Sequence, residues 1–280
     1  MPIKAVVADM DGTLLNSNHR ISEYTANVLR GLKEKGIHLI VATGRPYPDV
    51  FKTIHKCQLE PDFIITSNGG RIHDGNFKLV REHNIQPDLV EKMVQLRGLL
   101  GENNGEAEKK FVTNIYREAE WLTDKLVPQA QAAFNEEFPC QVLGDKLFEL
   151  RSDDLKGVHE VWFLGHHEEL LRLQAFITRT FSSELCCTFS LPYLIDCVPA
   201  GVTKGNGVRE VAEVLNMKLE DVACFGDGMN DESMLKIAGK AYIMENGQQE
   251  LKDAVPHGEV IGSNTDDGVA KKLEELFFSH

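Results

Sequence analysis

Short apolar runs set between helix-length amphipathic stretches restrict this chain to one kind of scaffold. Residues 3–8 (IKAVVA), 36–42 (GIHLIVA) and 63–66 (FIIT) carry apolar side chains at consecutive positions, the pattern of strands covered on both faces. Between them, residues 24–35 and 47–56 repeat apolar side chains at helical spacing. Strand, helix and parallel strand form a right-handed crossover, so a parallel sheet is expected up to about residue 83. The expected fold class is α/β, with a doubly wound, Rossmann-like core.

Open sheets of this kind bind ligands beyond the carboxyl ends of their strands, and the sequence concentrates its chemistry there. The first run ends in Asp9-Met10-Asp11-Gly12-Thr13. Residues i and i+2 of a strand share a face. If extended geometry continues through Met10, both carboxylates point into one small volume, and a cation or a shared proton must relieve their repulsion. The alternative is a solvated turn, since Asp-Gly is a common turn signal. The second run ends in Thr43-Gly44-Arg45, which offers a hydroxyl, a flexible backbone and a guanidinium to phosphate oxygens. Lys204-Gly205 opens a helical pattern, and its ammonium is a mobile point charge suited to phosphate. A further run, residues 222–225 (VACF), leads into Gly226-Asp227-Gly228-Met229-Asn230-Asp231. Together these groups supply a carboxylate nucleophile for phosphorus, a second carboxyl for proton transfer, cations for phosphoryl oxygens, and an acidic cluster for a hard metal ion such as Mg²⁺.

In order, DMDGTLL, TGR, Lys204-Gly205 and GDGMND resemble the four motifs of haloacid dehalogenase (HAD) superfamily phosphohydrolases. Ser67-Asn68-Gly69-Gly70, GVTKG, GDGMNDESML and the closing Thr265 to Ala270 are similar to the Cof-type (subfamily IIB) sugar-phosphatase-like members. One departure is Asn246-Gly247, where that subfamily more often has Asn-Ala. The resemblance implies that Asp9 forms an aspartyl-phosphate and that Asp11 is the general acid, then the base that activates water. It places Thr13, Thr43, Gly44, Arg45, Lys204 and Asn230 around the phosphate or substrate. It assigns Mg²⁺ to Asp9, the backbone carbonyl of Asp11, and Asp227, with Asn230 and Asp231 orienting that shell. Superfamily dehalogenases lack an acid at the second Asp, so Asp11 argues for phosphoryl transfer. The expected substrate is a small phosphorylated metabolite, a sugar phosphate or a phosphorylated cofactor.

Two other readings use similar residues. A phosphomutase returns the acyl-phosphate to a sugar hydroxyl, but phosphomannomutases with this cap type differ in the fourth motif. A signalling receiver domain also uses an Asp pair, a Thr and a Lys on a doubly wound sheet; it is far shorter and has no counterpart of Asp227 to Asp231.

Thirty Lys plus Arg against 43 Asp plus Glu give a net charge of −13, which disfavours nucleic acid and anionic membranes as partners. Local cations and a metal can still bind a small phosphate. A strand starting at Ile3 leaves no room for a cleaved signal, no apolar run approaches the roughly 18 residues of a membrane span, and the final Phe278-Ser279-His280 is no peroxisomal signal, so the cytoplasm is expected. The six Cys (57, 140, 186, 187, 197, 224) include no C-x-x-C pair and read as buried apolar residues in a reducing compartment. His166-His167-Glu168-Glu169 lacks H-E-x-x-H spacing and reads as a solvated helix start, not a zinc site. A monomer or weak homodimer is expected.

The pattern changes in mid-chain. Residues 71–82 (RIHDGNFKLVRE) read as a hairpin about Gly75-Asn76. Beyond it, helices are expected at 88–100, 120–134 and 168–181, with strands at 111–116, 146–151 and 160–164. A strand at 194–198 returns the chain to the first pattern. The division expected is a catalytic core of residues 1–83 and 192–280, with an α/β cap domain of residues 84–191 inserted between the second and third motifs. Glu102 to Glu106 (ENNGE) reads as a cap loop or a simple surface turn.

Overall fold

The computed structural model describes residues 2–98, 111–133 and 138–278, so the Glu102 to Glu106 segment lies outside the described residues. In chain order the elements are β1 (Ala5–Ala8), α1 (Glu23–Gly31), β2 (His38–Ala42), α2 (Tyr47–Lys56), β3 (Phe63–Thr66), β4 (Arg71–Asp74), β5 (Leu79–Glu82), α3 (Pro87–Val94), β6 (Phe111–Arg117), β7 (Glu120–Thr123), α4 (Pro128–Ala133) and β8 (Gln141–Val142). There follow β9 (Val158–Gly165), α5 (His167–Phe181), β10 (Leu185–Leu191), β11 (Leu194–Pro199), α6 (Lys204–Val214), β12 (Val222–Gly226), α7 (Glu232–Ile237), β13 (Lys240–Met244), α8 (Gln249–Ala254), β14 (Glu259–Ile261) and α9 (Gly268–Phe277).

The chain forms two compact units, one of Met1–Arg45, Val50–Arg81 and Thr203–His280, the other of Pro46–Asp49 and Glu82–Val202. In the first, eight strands run in the order β14-β13-β12-β1-β2-β3-β4-β5. From β14 to β3 each pair is parallel, and β4 turns back antiparallel to β3. The central strands β1, β2, β3 and β12 are buried along almost their whole length because each alternate residue meets a different helical layer. Val6 and Ala8 join Leu29 of α1 and Leu273 of α9 on one face. Ala5 and Val7 join Val208 of α6 and Leu235 of α7 on the other. This is the doubly wound α/β core expected from the apolar runs. Helix α1 stops short of residue 35: a 3-10 turn, Lys33–Lys35, tightens its end and Gly36 closes it at φ 69°.

The second unit holds a six-stranded sheet in the order β10-β11-β9-β6-β7-β8, antiparallel except for β7 with β8. Helices α3 and α5 cover one face through Val90, Met93, Leu170, Leu173 and Ile177, while Tyr116, Trp121, Phe138 and Trp162 cluster on the other. Three expectations fail here. The helix expected at 120–134 is β7 followed by α4, because Trp121 and Leu122 point to opposite faces of the sheet and Pro128 sets a new helix start. The strand expected at 146–151 is a 3-10 turn, Gly144–Glu149, that buries the adjacent Leu147 and Phe148 together, which an alternating strand could not. The strand at 194–198 does not return to the first sheet: β11 pairs with β10 and β9, so the second unit runs on to Val202. No helix among the described residues is long and apolar enough to cross a membrane.

Candidate active site

The carboxyl ends of β1, β2 and β12 and the start of α6 carry the polar groups singled out in the sequence. Asp9 follows β1, and its N–H donates to the Phe225 carbonyl of the neighbouring strand at 3.0 Å, which fixes the backbone at the sheet's rim. The chain then turns, with Leu15 N–H donating to Met10 O at 2.8 Å and Gly12 at φ 77°. Extended geometry therefore does not continue through Met10, and the two carboxylates meet different cations. Asp9 Oδ1 accepts from Lys204 Nζ at 2.6 Å. Asp11 takes a two-point bond from Arg45, with Nε and one terminal nitrogen each 2.6 Å from a carboxylate oxygen.

Lys204 stands at the first position of α6, whose start is capped by Thr203 Oγ1 accepting from Asn206 N–H at 3.1 Å. Its ammonium bridges Asp9 and Asp231, the latter at 2.7 Å, and is 1% exposed. Asp231 is held from its other oxygen as well, which accepts the N–H groups of Asp227 and Gly228 at 2.9 and 3.0 Å. Asp227 Oδ1 accepts the Thr13 hydroxyl at 2.9 Å.

Asp9, Asp227 and Asp231 each present an oxygen within 4.8 Å of the others, a grouping matched by no other set of three potential metal ligands among the described residues. Three carboxylates against one ammonium leave a surplus of negative charge in a buried volume. Burial pushes the Asp9 carboxyl well above its ordinary range; Lys204 opposes the shift, and Asp231, Asp227 and Asp11 add to it. Burial, with repulsion from Asp231, raises Asp227 to about 7. For Lys204 burial alone would favour the neutral amine, but the Asp231 and Asp9 carboxylates outweigh it and hold the proton more tightly than usual. All-oxygen donors with uncompensated charge are what a hard divalent cation takes, so the residues present fit Mg²⁺.

Several expected phosphate groups have protein partners here. Thr43 is buried, and its hydroxyl accepts the Arg45 N–H at 3.1 Å. Arg45 turns its guanidinium to Asp11 and Thr13 its hydroxyl to Asp227, while Asn230 Nδ2 donates to Asn68 Oδ1 at 3.0 Å. Gly44 passes close to that Asn68 amide: a Cβ there would lie 3.2 Å from it. His167 begins α5 and its Nδ1 lies 2.6 Å from the Pro192 carbonyl, with no metal set around it among the described residues.

Supporting residues escaped the sequence reading. Ser233 Oγ accepts the Gly205 N–H at 3.0 Å and Gln248 Oε1 the Met229 N–H at 3.2 Å. Asn246 donates to Gly12 O at 2.8 Å, and Asn264 donates to Leu15 O at 2.7 Å. The two asparagines clamp the loop after Asp9 from the far side of the sequence. Only the Asn246-Gly247 dipeptide gave a signal of this.

Among the glycines of the site Gly12 is the most crowded. A Cβ there would sit 2.2 Å from Asp227 Oδ2, in a backbone conformation that side chains rarely adopt. Gly12→Ala is therefore expected to displace Asp227 or the loop, lowering turnover at least about tenfold and stability by about 1–2 kcal/mol. Steady-state kinetics and urea unfolding check this; a variant matching the parent in both would show that the contact is not constraining.

Comparison with known proteins agrees with the geometry. A family model for haloacid dehalogenase-like hydrolases matches residues 6–273. A relative from Buchnera aphidicola subsp. Schizaphis graminum is 32% identical over 281 residues, spanning 99% of this chain and 97% of its own. An HMP-PP phosphatase of Serratia proteamaculans is 31% identical, over 95% of this chain and 92% of its own. The crystal structure of a haloacid dehalogenase-like hydrolase from Bacteroides thetaiotaomicron superposes with a TM-score of 0.81 at 26% identity, covering 98% of this chain and all (100%) of that one.

Proposed function

We propose that this phosphatase, which belongs to the haloacid dehalogenase-like hydrolases, cleaves a small phosphorylated metabolite through an aspartyl-phosphate on Asp9 with the help of Mg²⁺. The observation that carries this reading is the buried Lys204 bridge between Asp9 and Asp231, with Asp227 beside it.

An Asp9 carboxylate oxygen attacks phosphorus, the bond to the leaving oxygen breaks, and Asp11 gives that oxygen a proton. Water then attacks the phosphorus of the aspartyl-phosphate, Asp11 takes the water's proton, and inorganic phosphate leaves as the bond to Asp9 breaks. Lys204 keeps Asp9 oriented and, with Thr43, meets the phosphoryl oxygens. Arg45 occupies both oxygens of Asp11, so the acid step requires that pairing to open. Asp9, the Asp11 carbonyl and Asp227 would hold Mg²⁺, which when bound supplies positive charge between nucleophile and phosphoryl group. Asp231, used on both oxygens by Lys204 and by backbone N–H groups, positions that set. HMP-PP, the substrate in the name of the Serratia relative, belongs on the panel of compounds to be tried, together with sugar phosphates.

Excess chelator is expected to lower turnover of any panel substrate by at least about 100-fold, and added Mg²⁺ to restore it. The same addition should raise the unfolding temperature, since a ligand that binds only the folded chain stabilises it. Full activity in chelator would overturn the metal assignment; no phosphate release from any member of the panel would overturn the substrate class.

A further inference from the structure

We propose that Cys187 and Cys197 are an oxidation site: a dithiol that peroxide converts to a reversible disulfide across the last two strands of the second sheet. Strands β10 and β11 are antiparallel with Cys187 opposite Cys197 in register, and the two Sγ atoms lie 3.0 Å apart. Residues opposite one another in such a pair have Cα atoms about 4.5–5.5 Å apart. That spacing falls inside the range of about 4.4–6.8 Å that a disulfide spans, so the bond needs no large backbone movement. Both side chains lie on the face covered by α5, where Cys197 is fully buried and Cys187 packs against the same apolar core but is only partly buried. Gln174 of α5 donates to the Cys187 carbonyl at 3.1 Å and holds the helix to this edge strand. Cys186 is next in sequence but points to the opposite face, and its cross-strand neighbour is Val198, which offers no thiol.

The two sulfurs differ in access, and that sets the order of events. Burial pushes the Cys197 thiol up, so it stays protonated beside the Cys187 sulfur. Cys187, the less buried of the two, is the one a small oxidant reaches. It attacks one peroxide oxygen, the O–O bond breaks, and a sulfenic acid and water result. The Cys197 sulfur then displaces the hydroxyl of that sulfenic acid, forming the S–S bond and a second water. Two thiols and one hydrogen peroxide thus give one disulfide and two waters. Dithiothreitol or a cellular thiol reverses the bond.

The experiment treats the purified full-length chain with hydrogen peroxide, confirms by circular dichroism that it stays folded, and alkylates it in denaturant before peptide mapping. Two of the six thiols should become unreactive, a single cross-linked species should join the Cys187 and Cys197 peptides, and dithiothreitol should restore both thiols. Cys186→Ser should keep the cross-link. Cys197→Ser should leave Cys187 as a sulfenic acid that dimedone captures. Six alkylated thiols after peroxide treatment, or a cross-link that uses Cys186, would overturn the proposal.

Discussion

Asp9→Asn is expected to lower phosphatase turnover about 10⁴-fold or more, a barrier increase of about 5.5 kcal/mol. An amide nitrogen or its neutral oxygen does not attack phosphorus as a carboxylate does, and no aspartyl-phosphate can form. The fold should survive, which makes the result easy to read. Asp9 is 4% exposed and its ionised form is disfavoured by burial and by three neighbouring carboxylates, so removing its charge relieves repulsion while Lys204 keeps Asp231. Unfolding temperature should therefore be at or above that of the parent. With an activated aryl phosphate, Asp11→Asn should still label Asp9, because a good leaving group needs no proton, but the label should persist since no base activates water. An Asp9→Asn enzyme with more than a tenth of parental activity, or a phosphoryl adduct mapped to another residue, would remove Asp9 from the nucleophile's role.

The first unit was legible because its central strands, β1, β2, β3 and β12, are buried on both faces. Consecutive apolar residues such as 63–66 then have only one economical reading, and the strand ends fall where the polar motifs begin. The second unit has a sheet with a helical layer on one face and aromatic residues on the other, so its strands mix polar and apolar positions. Glu120 to Thr123 carries no periodicity long enough to separate strand from helix. Leu147 and Phe148 are buried side by side by a turn that periodicity does not encode. At the candidate site, contiguous motifs disclosed Asp9, Asp227, Asp231 and Lys204, since each sits at a strand end or helix start. The pairings were not legible. Thr13 meets Asp227 across 214 residues and Asn230 meets Asn68 across 162, so only the sheet order brings them together. The bidentate bond from Arg45 to Asp11 is likewise a pairing that the Thr43-Gly44-Arg45 motif does not disclose.

Lys204→Met is expected to cost about 3–5 kcal/mol of stability at neutral pH and to abolish turnover. Methionine replaces most of the buried stem's volume, so packing around α6 changes little and the lost ammonium dominates. Among the described residues Lys204 is the only cation contacting Asp9 and Asp231, which are 4% and 0% exposed. Without it two buried carboxylates face Asp227 with no counter-charge, the situation in which removal of one partner is most damaging. For a chain of this size the loss corresponds to a fall of about 10 °C in unfolding temperature. The pH dependence follows in sign. Burial and repulsion already raise the Asp9 carboxyl above its unfolded value of 3.8, and removal of Lys204 takes away an influence that lowers it. The folded variant then binds protons that the unfolded chain has released, so its stability should be greatest at low pH and decline as pH rises through the interval between the two values. The gap between parent and variant should accordingly be smaller at pH 5 than at pH 8. Thermal melts of both proteins in chelator, where no divalent cation can substitute for the ammonium, measure this directly. Equal unfolding temperatures at both pH values would mean that the bridge contributes nothing to the fold, and the charge argument for the site would fall with it.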